Sequence, residues 1–507
     1  MRRYHIFLTT LCVVFFTACE KDNTENINVS KEYGEEYYAG GKAGTVFITS
    51  SFAYKQPVPA IDEDAALYKQ FMRGERIADK SFVSDTSMGY SGLGPVYIRK
   101  SCIACHPSYG GRGHRVDKYD SNDSRCSYLL MVYDPASPTL ALASKYFTGM
   151  TQTRAVAPFK APINEDGIHI EWRTHVDEHG NKYEDGTPYS SGMPYEGTLI
   201  YPLVTIDQSA VLFNDFDMSK YTASIEATIG IYGTGLLDAI SDEDLRDEYQ
   251  RQQARGYCPG IIGADIDETG LNPYYPGKHP GRFTYLCTRA TLDNGPGANA
   301  IWNITNVTRP DRSYHYITDE YAQVSAKDPD VQAALGKPEQ EVYEYLMSKN
   351  LNSEMTTADY DAFMVWHRGL AVPAARDLDN PMVQQGKELF YEAGCTACHR
   401  PSWTTRADYK PLPALSNQKI YPYTDLLRHD LGLKEPGRVQ VCRTTPLWGR
   451  GLTKIVSGHT DKMHDLRARN FEEAIVWHGG EALQAKEKFR AMPREDREAL
   501  IKFLEAI

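Results

Sequence analysis

SCIACHPSYGGRG, residues 101–113, packs Cys102, Cys105 and His106 into five consecutive positions. Four arrangements place such residues together: a redox dithiol, half of a zinc site, a chance disulfide, or a porphyrin attachment site. The rest of the chain separates them. CTACH, residues 395–399, repeats the pattern of CIACH, residues 102–106. A redox dithiol has no use for the histidine. A zinc ribbon needs a second cysteine pair for each ion, and the two motifs lie far apart in the chain.

C-x-x-C-H is the attachment signature of c-type haem. Two thiols one turn apart match the two vinyl groups on one porphyrin edge. The histidine that follows reaches under the ring and binds iron from the proximal side. The motifs therefore predict two covalently bound haems. One is held by Cys102, Cys105 and His106, the other by Cys395, Cys398 and His399, with His106 and His399 as iron ligands.

The 507 residues are 41% hydrophobic, which provides for a large core in more than one domain. The net charge of -12 sets nucleic acid aside, because an acidic chain is repelled by phosphate backbones. MRRYHIFLTTLCVVFFTAC opens with two arginines, continues with a short apolar stretch and ends on small residues. That pattern reads as an export signal, too short to span a bilayer. Its end, Phe-Thr-Ala-Cys at 16–19, resembles a bacterial lipobox. Residues 1–19 are accordingly expected to be a lipoprotein signal peptide, with Cys19 lipidated and residues 20–45 a flexible tether. The protein is then held by a lipid anchor on a membrane of the cell envelope or periplasm, where covalent haem attachment takes place and disulfides persist. Ten cysteines are present. Cys258 and Cys287 are a candidate disulfide, but spacing leaves the pairing of Cys126, Cys258, Cys287 and Cys442 open.

NPMVQQGKELFYEAGCTACH, residues 380–399, reads as a helix leading into the second motif, with Gly386 allowing another helix to approach. Residues 63–82 carry a similar apolar stripe ahead of the first motif. In HDLRARNFEEAIVWHGGEAL, residues 464–483, Asn470 suits a helix cap, Glu472 and Glu473 its first turn, and Gly479-Gly480 its end. Phe471, Ile475 and His478 share one face, which puts an imidazole on an apolar surface close to an implied iron. His478 is the expected sixth ligand of the second haem. GIHIEWRTHVDEHGNKYEDG, residues 167–186, alternates as a strand and turn, and EGTLIYPLVTID, residues 196–207, is a candidate partner strand. His169 and His175 are read as part of a solvated strand face rather than a metal pair. GADIDETGLNP, residues 263–273, has part of the spacing of a calcium loop but falls short of an EF-hand, so calcium is a minor expectation. The closing stretch EDREALIKFLEAI, residues 495–507, reads as an amphipathic helix.

Three C-terminal stretches, YTDLLRHDLGL (423–433), CRTTPLWGRGL (442–452) and HDLRARNFEEAIVWHGGEA (464–482), resemble the bacterial di-haem oxidoreductases that are described as peroxidases and carry an older label of thiol oxidoreductase. GLGPVYIRKSCIACHPSYGGRG (92–113), IYGTGLLDAISDEDL (231–245) and GRFTYLCTRATL (281–292) agree. More distantly the chain is similar to the di-haem cytochrome c peroxidases and to the di-haem enzymes that mature a quinone cofactor. The resemblance implies a mainly α fold of two cytochrome c-like haem domains. The first, residues 46–375, holds long irregular insertions and a small β-sheet, and the second is residues 376–507. It implies peroxide as substrate and an external electron donor: a small cytochrome, a copper protein or a quinol-linked donor. Electrons would enter at the C-terminal haem and be used at the N-terminal haem.

In those peroxidases a histidine-aspartate pair precedes the helix that bears the distal ligand, usually methionine. His464-Asp465 match the pair and His478 occupies the ligand position, so this chain departs from the pattern. Two imidazoles favour the ferric state and a lower potential than histidine with methionine. The peroxidases also carry a loop histidine at the first haem. His114 is the candidate, set against a plain loop histidine in a Gly-Arg-Gly turn. The catalytic acid is open among Glu226, Tyr314 and His315. Trp302 is weighed as an inter-haem relay against a core aromatic. Two rival functions keep the same haems: a pure electron carrier with both irons six-coordinate, and an oxidase of a protein or metal substrate.

Overall fold

The computed structural model describes residues 33–84, 92–110, 113–137, 141–256, 259–435, 437 and 439–507. The expected signal peptide 1–19, Cys19, residues 20–32 of the tether and Cys258 lie outside the described residues. Residues 33–507 form one compact unit, about 35% helix and 15% strand, so helix dominates as expected.

Each motif is framed by a pair of crossing helices. Ahead of the first motif, the side chain of Asp64 accepts from the amides of Ala66 and Leu67 and starts the helix Ala65–Asp79. This helix buries Phe71, Gly74 and Ala78 and packs on the helix Thr357–Arg368, itself capped by Thr356. Ahead of the second motif, Asn380 caps the helix Pro381–Ala393, whose first residue is a proline with no amide to satisfy. It buries Val383, Gly386 and Phe390 and packs on the closing helix Arg494–Ala506. Both crossings sit on a glycine. A Cβ on Gly74 would run into the carbonyl of Ala362, and one on Gly386 into the carbonyl of Ala499. The same arrangement thus occurs twice in one chain.

The long stretch inside the first frame holds the expected sheet. Its antiparallel strands run in the order Tyr128–Tyr133, Thr222–Ala227, Leu199–Ile206, Ile168–His175. Ile168 pairs with Ile206 and Ile170 with Val204, which puts the apolar residues of both strands on one buried face. His169 and His175 go to different carboxylates, Asp207 at 2.9 Å and Glu435 at 2.8 Å, so they do not converge as a metal pair. The calcium expectation does not gather ligands either. Asp265 pairs with Arg246, and Glu268 turns inward to accept from Thr291.

The boundary expected between 375 and 376 is crossed by many contacts. The rings of Tyr54 and Tyr232 stack at 4.1 Å, and their hydroxyls donate to the carbonyls of Gly449 and Trp448. The tether expectation needs correction at its end. Residues 33–45 are folded onto the body: Glu35 accepts from Lys419 and Tyr421, Gln418 accepts from the amide of Ala43, and Thr45 pairs in parallel with Val372. Tyr33, Tyr37 and Tyr38 cluster around each other and Phe47, so this polar stretch carries enough aromatic surface to dock. Among the described residues no helix is long and apolar enough to cross a membrane.

The glycine crossings are testable. Gly386→Ala should lower the unfolding free energy by about 1–3 kcal/mol, because the closing helix must move to admit a methyl group. Gly34→Ala, whose added carbon meets nothing within 4 Å, should change it little. Denaturant titration of the holo-protein reads both.

Candidate functional site

The two motifs line two separate cavities. In the second, Gly394 at φ 89° ends the lead-in helix, and Cys395–Ala397 forms one tight turn. The amide of His399 donates to the carbonyl of Cys395 at 2.9 Å, closing the turn that brings both cysteines beside the ring of His399. His399 donates from Nδ1 to the carbonyl of Tyr423 at 3.0 Å. Tyr423 holds that carbonyl in place from a left-handed backbone conformation, φ 50°. Across the cavity, Asn470 caps the helix Phe471–Val476, and His478 follows just past its end. His478 donates from Nδ1 to the carbonyl of Ala474 at 2.6 Å.

Both imidazoles therefore commit Nδ1 to backbone and keep Nε2 for the cavity. Their ring centroids stand 6.5 Å apart. Two imidazoles bound to one metal at about 2 Å each place their ring centres roughly 6–6.5 Å apart, so the spacing fits one iron between them. Burial keeps both neutral, the ligating form, and pushes His399 down to about 4.

The remaining lining fits an apolar disc with acid groups on its edge. Phe390, Leu431, Leu447, Phe471, Ile475 and Leu500 supply the apolar walls. Arg443, Arg450, Lys462 and Lys486 line the cavity together with His429, and among the described residues no carboxylate does. Arg443 is buried, and its Nε has no partner within the protein. A cationic cavity in a chain of net charge -12, with an orphaned guanidinium N–H, is a place for an anionic ligand such as a haem propionate.

The first cavity is built alike on the motif side. The amide of His106 donates to the carbonyl of Cys102 at 3.0 Å. His106 donates from Nδ1 to the carbonyl of Ile229 at 2.8 Å, and burial pushes it down to about 4. Thr228 donates to the carbonyl of Cys105, tying the motif to the chain that follows the strand Thr222–Ala227. The walls include Leu129, Met131, Met150, Phe283 and Ile304, with Glu226, Arg289, Tyr285 and His367 as polar members. Among the described residues His106 has no second imidazole in ring contact, unlike His399.

Burial pushes the thiols of Cys102 and Cys395 up to about 12 and that of Cys105 up to about 11. Thiols held this way lack the lowered values of a reactive dithiol. Cys126, Cys287 and Cys442 are free thiols, so Cys287 is in no disulfide within the described residues.

Several expected site residues lie elsewhere. His114 does not line the first cavity; its ring packs on His459 at 4.6 Å. Trp302 lines neither cavity. It donates to the carbonyl of Tyr314 and packs between Tyr314, Tyr316 and Arg312. Tyr314 and His315 are also outside the lining, and His315 packs on Tyr345. Of the three acid candidates only Glu226 lines the first cavity, where it is buried. His464 lines the second cavity. Sequence reading passed over His367, although VWHRG at 365–369 repeats VWHGG at 476–480 and so carries a legible signal. It also passed over Tyr285, which lies in a loop without periodicity.

One buried ion cluster reaches the second cavity through His429, which lines it. His429 bonds Asp425 through Nε2 and Glu481 through Nδ1, each at 2.8 Å, so both nitrogens donate. Burial would depress this imidazole, but the two carboxylates outweigh it and lift it to about 10. A folded-state value above the ordinary 6.5 adds stability that is full below pH 6.5 and fades as pH rises toward 10. The unfolding free-energy difference between the protein and His429→Asn should therefore be largest below pH 6.5 and shrink toward pH 10. Chemical denaturation across that range reads it, and a difference that grows with pH would contradict the assignment.

Comparison with curated proteins and with solved structures gives no match. Residues 347–507, which carry the second motif, the His464-Asp465 pair and His478, match the family model described as "Di-haem oxidoreductase, putative peroxidase", the family that the motifs resemble.

Proposed function

We propose that this protein is an exported, lipid-anchored di-haem enzyme that reduces hydrogen peroxide with electrons from an external donor. The observation that supports it is the asymmetry of the two cavities. In one, two imidazole rings stand 6.5 Å apart; in the other, His106 shares the lining with His367, and no such ring contact joins the two. A six-coordinate iron suits electron entry, and an iron with an open position suits a small oxidant. In this reading His399 and His478 hold the second haem, with Cys395 and Cys398 as its thioether positions. His106, Cys102 and Cys105 hold the first.

A haem held here would supply redox chemistry for O–O cleavage; the residues around it supply the proton traffic and the charge. Glu226 is the group placed to take a proton from one peroxide oxygen and return it to the other. Arg289 lines the same cavity and presents positive charge to the oxygen that leaves. Met131, Met150, Leu129 and Phe283 keep the space apolar and limit bulk water. Arg443, Arg450 and Lys462 would hold the acid groups of the second haem. The donor is a small cytochrome, a copper protein or a quinol-linked donor in the same compartment.

A second reading has its own support. Met131, Met150 and His367 also line the first cavity and are side chains able to ligate iron. If one of them closes the first haem, the protein is an electron carrier.

Electron paramagnetic resonance of the holo-protein separates the two. The enzyme requires one low-spin signal and one high-spin or newly five-coordinate signal, either fully oxidised or after one-electron reduction; two low-spin signals throughout would leave the carrier. His478→Ala should alter the spectrum of the second haem alone. Glu226→Gln should lower donor-dependent peroxide turnover by about 100-fold while leaving both haems bound.

A further inference from the structure

Among the described residues one residue lines both cavities. Tyr285 is a wall of the first, beside Phe283, Glu226 and Arg289, and a wall of the second, beside Arg443, His464 and His478. It is buried at 5% exposure. Its position is fixed from both directions. Its carbonyl accepts from the amide of Arg443 at 2.7 Å, which ties the 283–289 turn to the strand Val441–Arg443. The turn is closed by Arg289, whose carbonyl accepts from the amide of Phe283 at 2.9 Å. The ring meets His464 edge-on at 6.1 Å between centroids, and His464 also lines the second cavity.

We infer that Tyr285 is the conduit by which electrons cross from the second cofactor to the first. The inference rests on the di-haem reading and adds to it a residue and a route. Electron tunnelling falls off exponentially with distance, and more slowly through bonded atoms than across gaps. An aromatic ring that touches both cavities replaces two gaps with one continuous path of π-bonded carbon. Trp302, weighed from sequence as a relay against a core aromatic, lines neither cavity. The step balances without a chemical change at the tyrosine. One electron leaves the cofactor at His399 and His478 and arrives at the cofactor at His106. The external donor replaces it, and peroxide consumes it. The ring lends orbitals and is neither oxidised nor deprotonated, so no proton acceptor is needed.

The test uses full-length holo-protein and begins with haem content and the two midpoint potentials. Anything other than two haems per chain would sink the di-haem reading itself, independently of Tyr285. With two haems present, one electron is injected photochemically at the second haem, and its passage to the first is followed by absorbance. Tyr285→Phe should keep the transfer rate, because the ring remains. Tyr285→Leu should slow it several-fold or more, with haem content and both potentials unchanged. Trp302→Leu should leave it as it is. If Tyr285→Leu fails to load both haems, Tyr285→Met fills the space with an adaptable, non-aromatic chain and must show the same slowing. An unslowed transfer in a two-haem Leu or Met variant would overturn the assignment. So would slowing in Tyr285→Phe equal to that in Tyr285→Leu, since the ring would then not be the path.

Discussion

An imidazole has two nitrogens, and only the one left free can reach iron. In each cavity that choice is made by a backbone carbonyl. Ile229 fixes His106, Tyr423 fixes His399 and Ala474 fixes His478. Each carbonyl belongs to chain remote from the motif or to the preceding helical turn, so ligand orientation is a product of the whole fold. The glycine-floored helix crossings bring the motif turns up to those carbonyls. The sheet and its following loop deliver Ile229. The left-handed turn at Tyr423 shows the same priority: a bulky residue accepts an unfavourable backbone so that its carbonyl points at a ring.

The charges complete what the ligands begin. Two imidazoles on one iron favour the oxidised state. Around that same cavity the protein gathers four cationic side chains and keeps carboxylates out of the lining. Fixed positive charge favours the reduced state, so it works against the ligand pair in setting the potential. The doubly paired His429 sits at the edge of this field and is balanced by Asp425 and Glu481. The acidic balance of the whole chain therefore gave no hint of a cavity lined by basic side chains.

Much of this was legible in the sequence because it rests on local rules. The C-x-x-C-H motifs, the helix leading into Cys395, the cap at Asn470 and the face carrying His478 all follow from spacing within one turn or one helix. The paired strands 168–175 and 199–206 follow from alternation. What failed was long-range. His114 is close to the motif in sequence, yet the chain turns it toward His459. Trp302 is the core aromatic rather than the relay of the two roles weighed for it, and the residue that lines both cavities is a loop tyrosine with no pattern to betray it. Residues 33–45 have the polar composition of a linker, and they dock because partners for Glu35 and Thr45 come from more than 300 residues away.

The burial of the first motif bears on how the protein is made. Cys102 and Cys105 are 7% and 3% exposed; Cys102 packs in a cluster drawn from Ala39 to Val456, and Cys105 packs on Ile98 and Ile304. On the proposed reading both sulfurs must bond to porphyrin through an assembly enzyme that needs to reach them. With those segments packed around them, little of either sulfur is presented to a second protein. Cofactor insertion then has to come before the last stages of folding, and the unmodified chain must linger open long enough to be processed. Maturation and folding become a single ordered pathway, with the porphyrin acting as a late core element rather than a guest in a finished pocket.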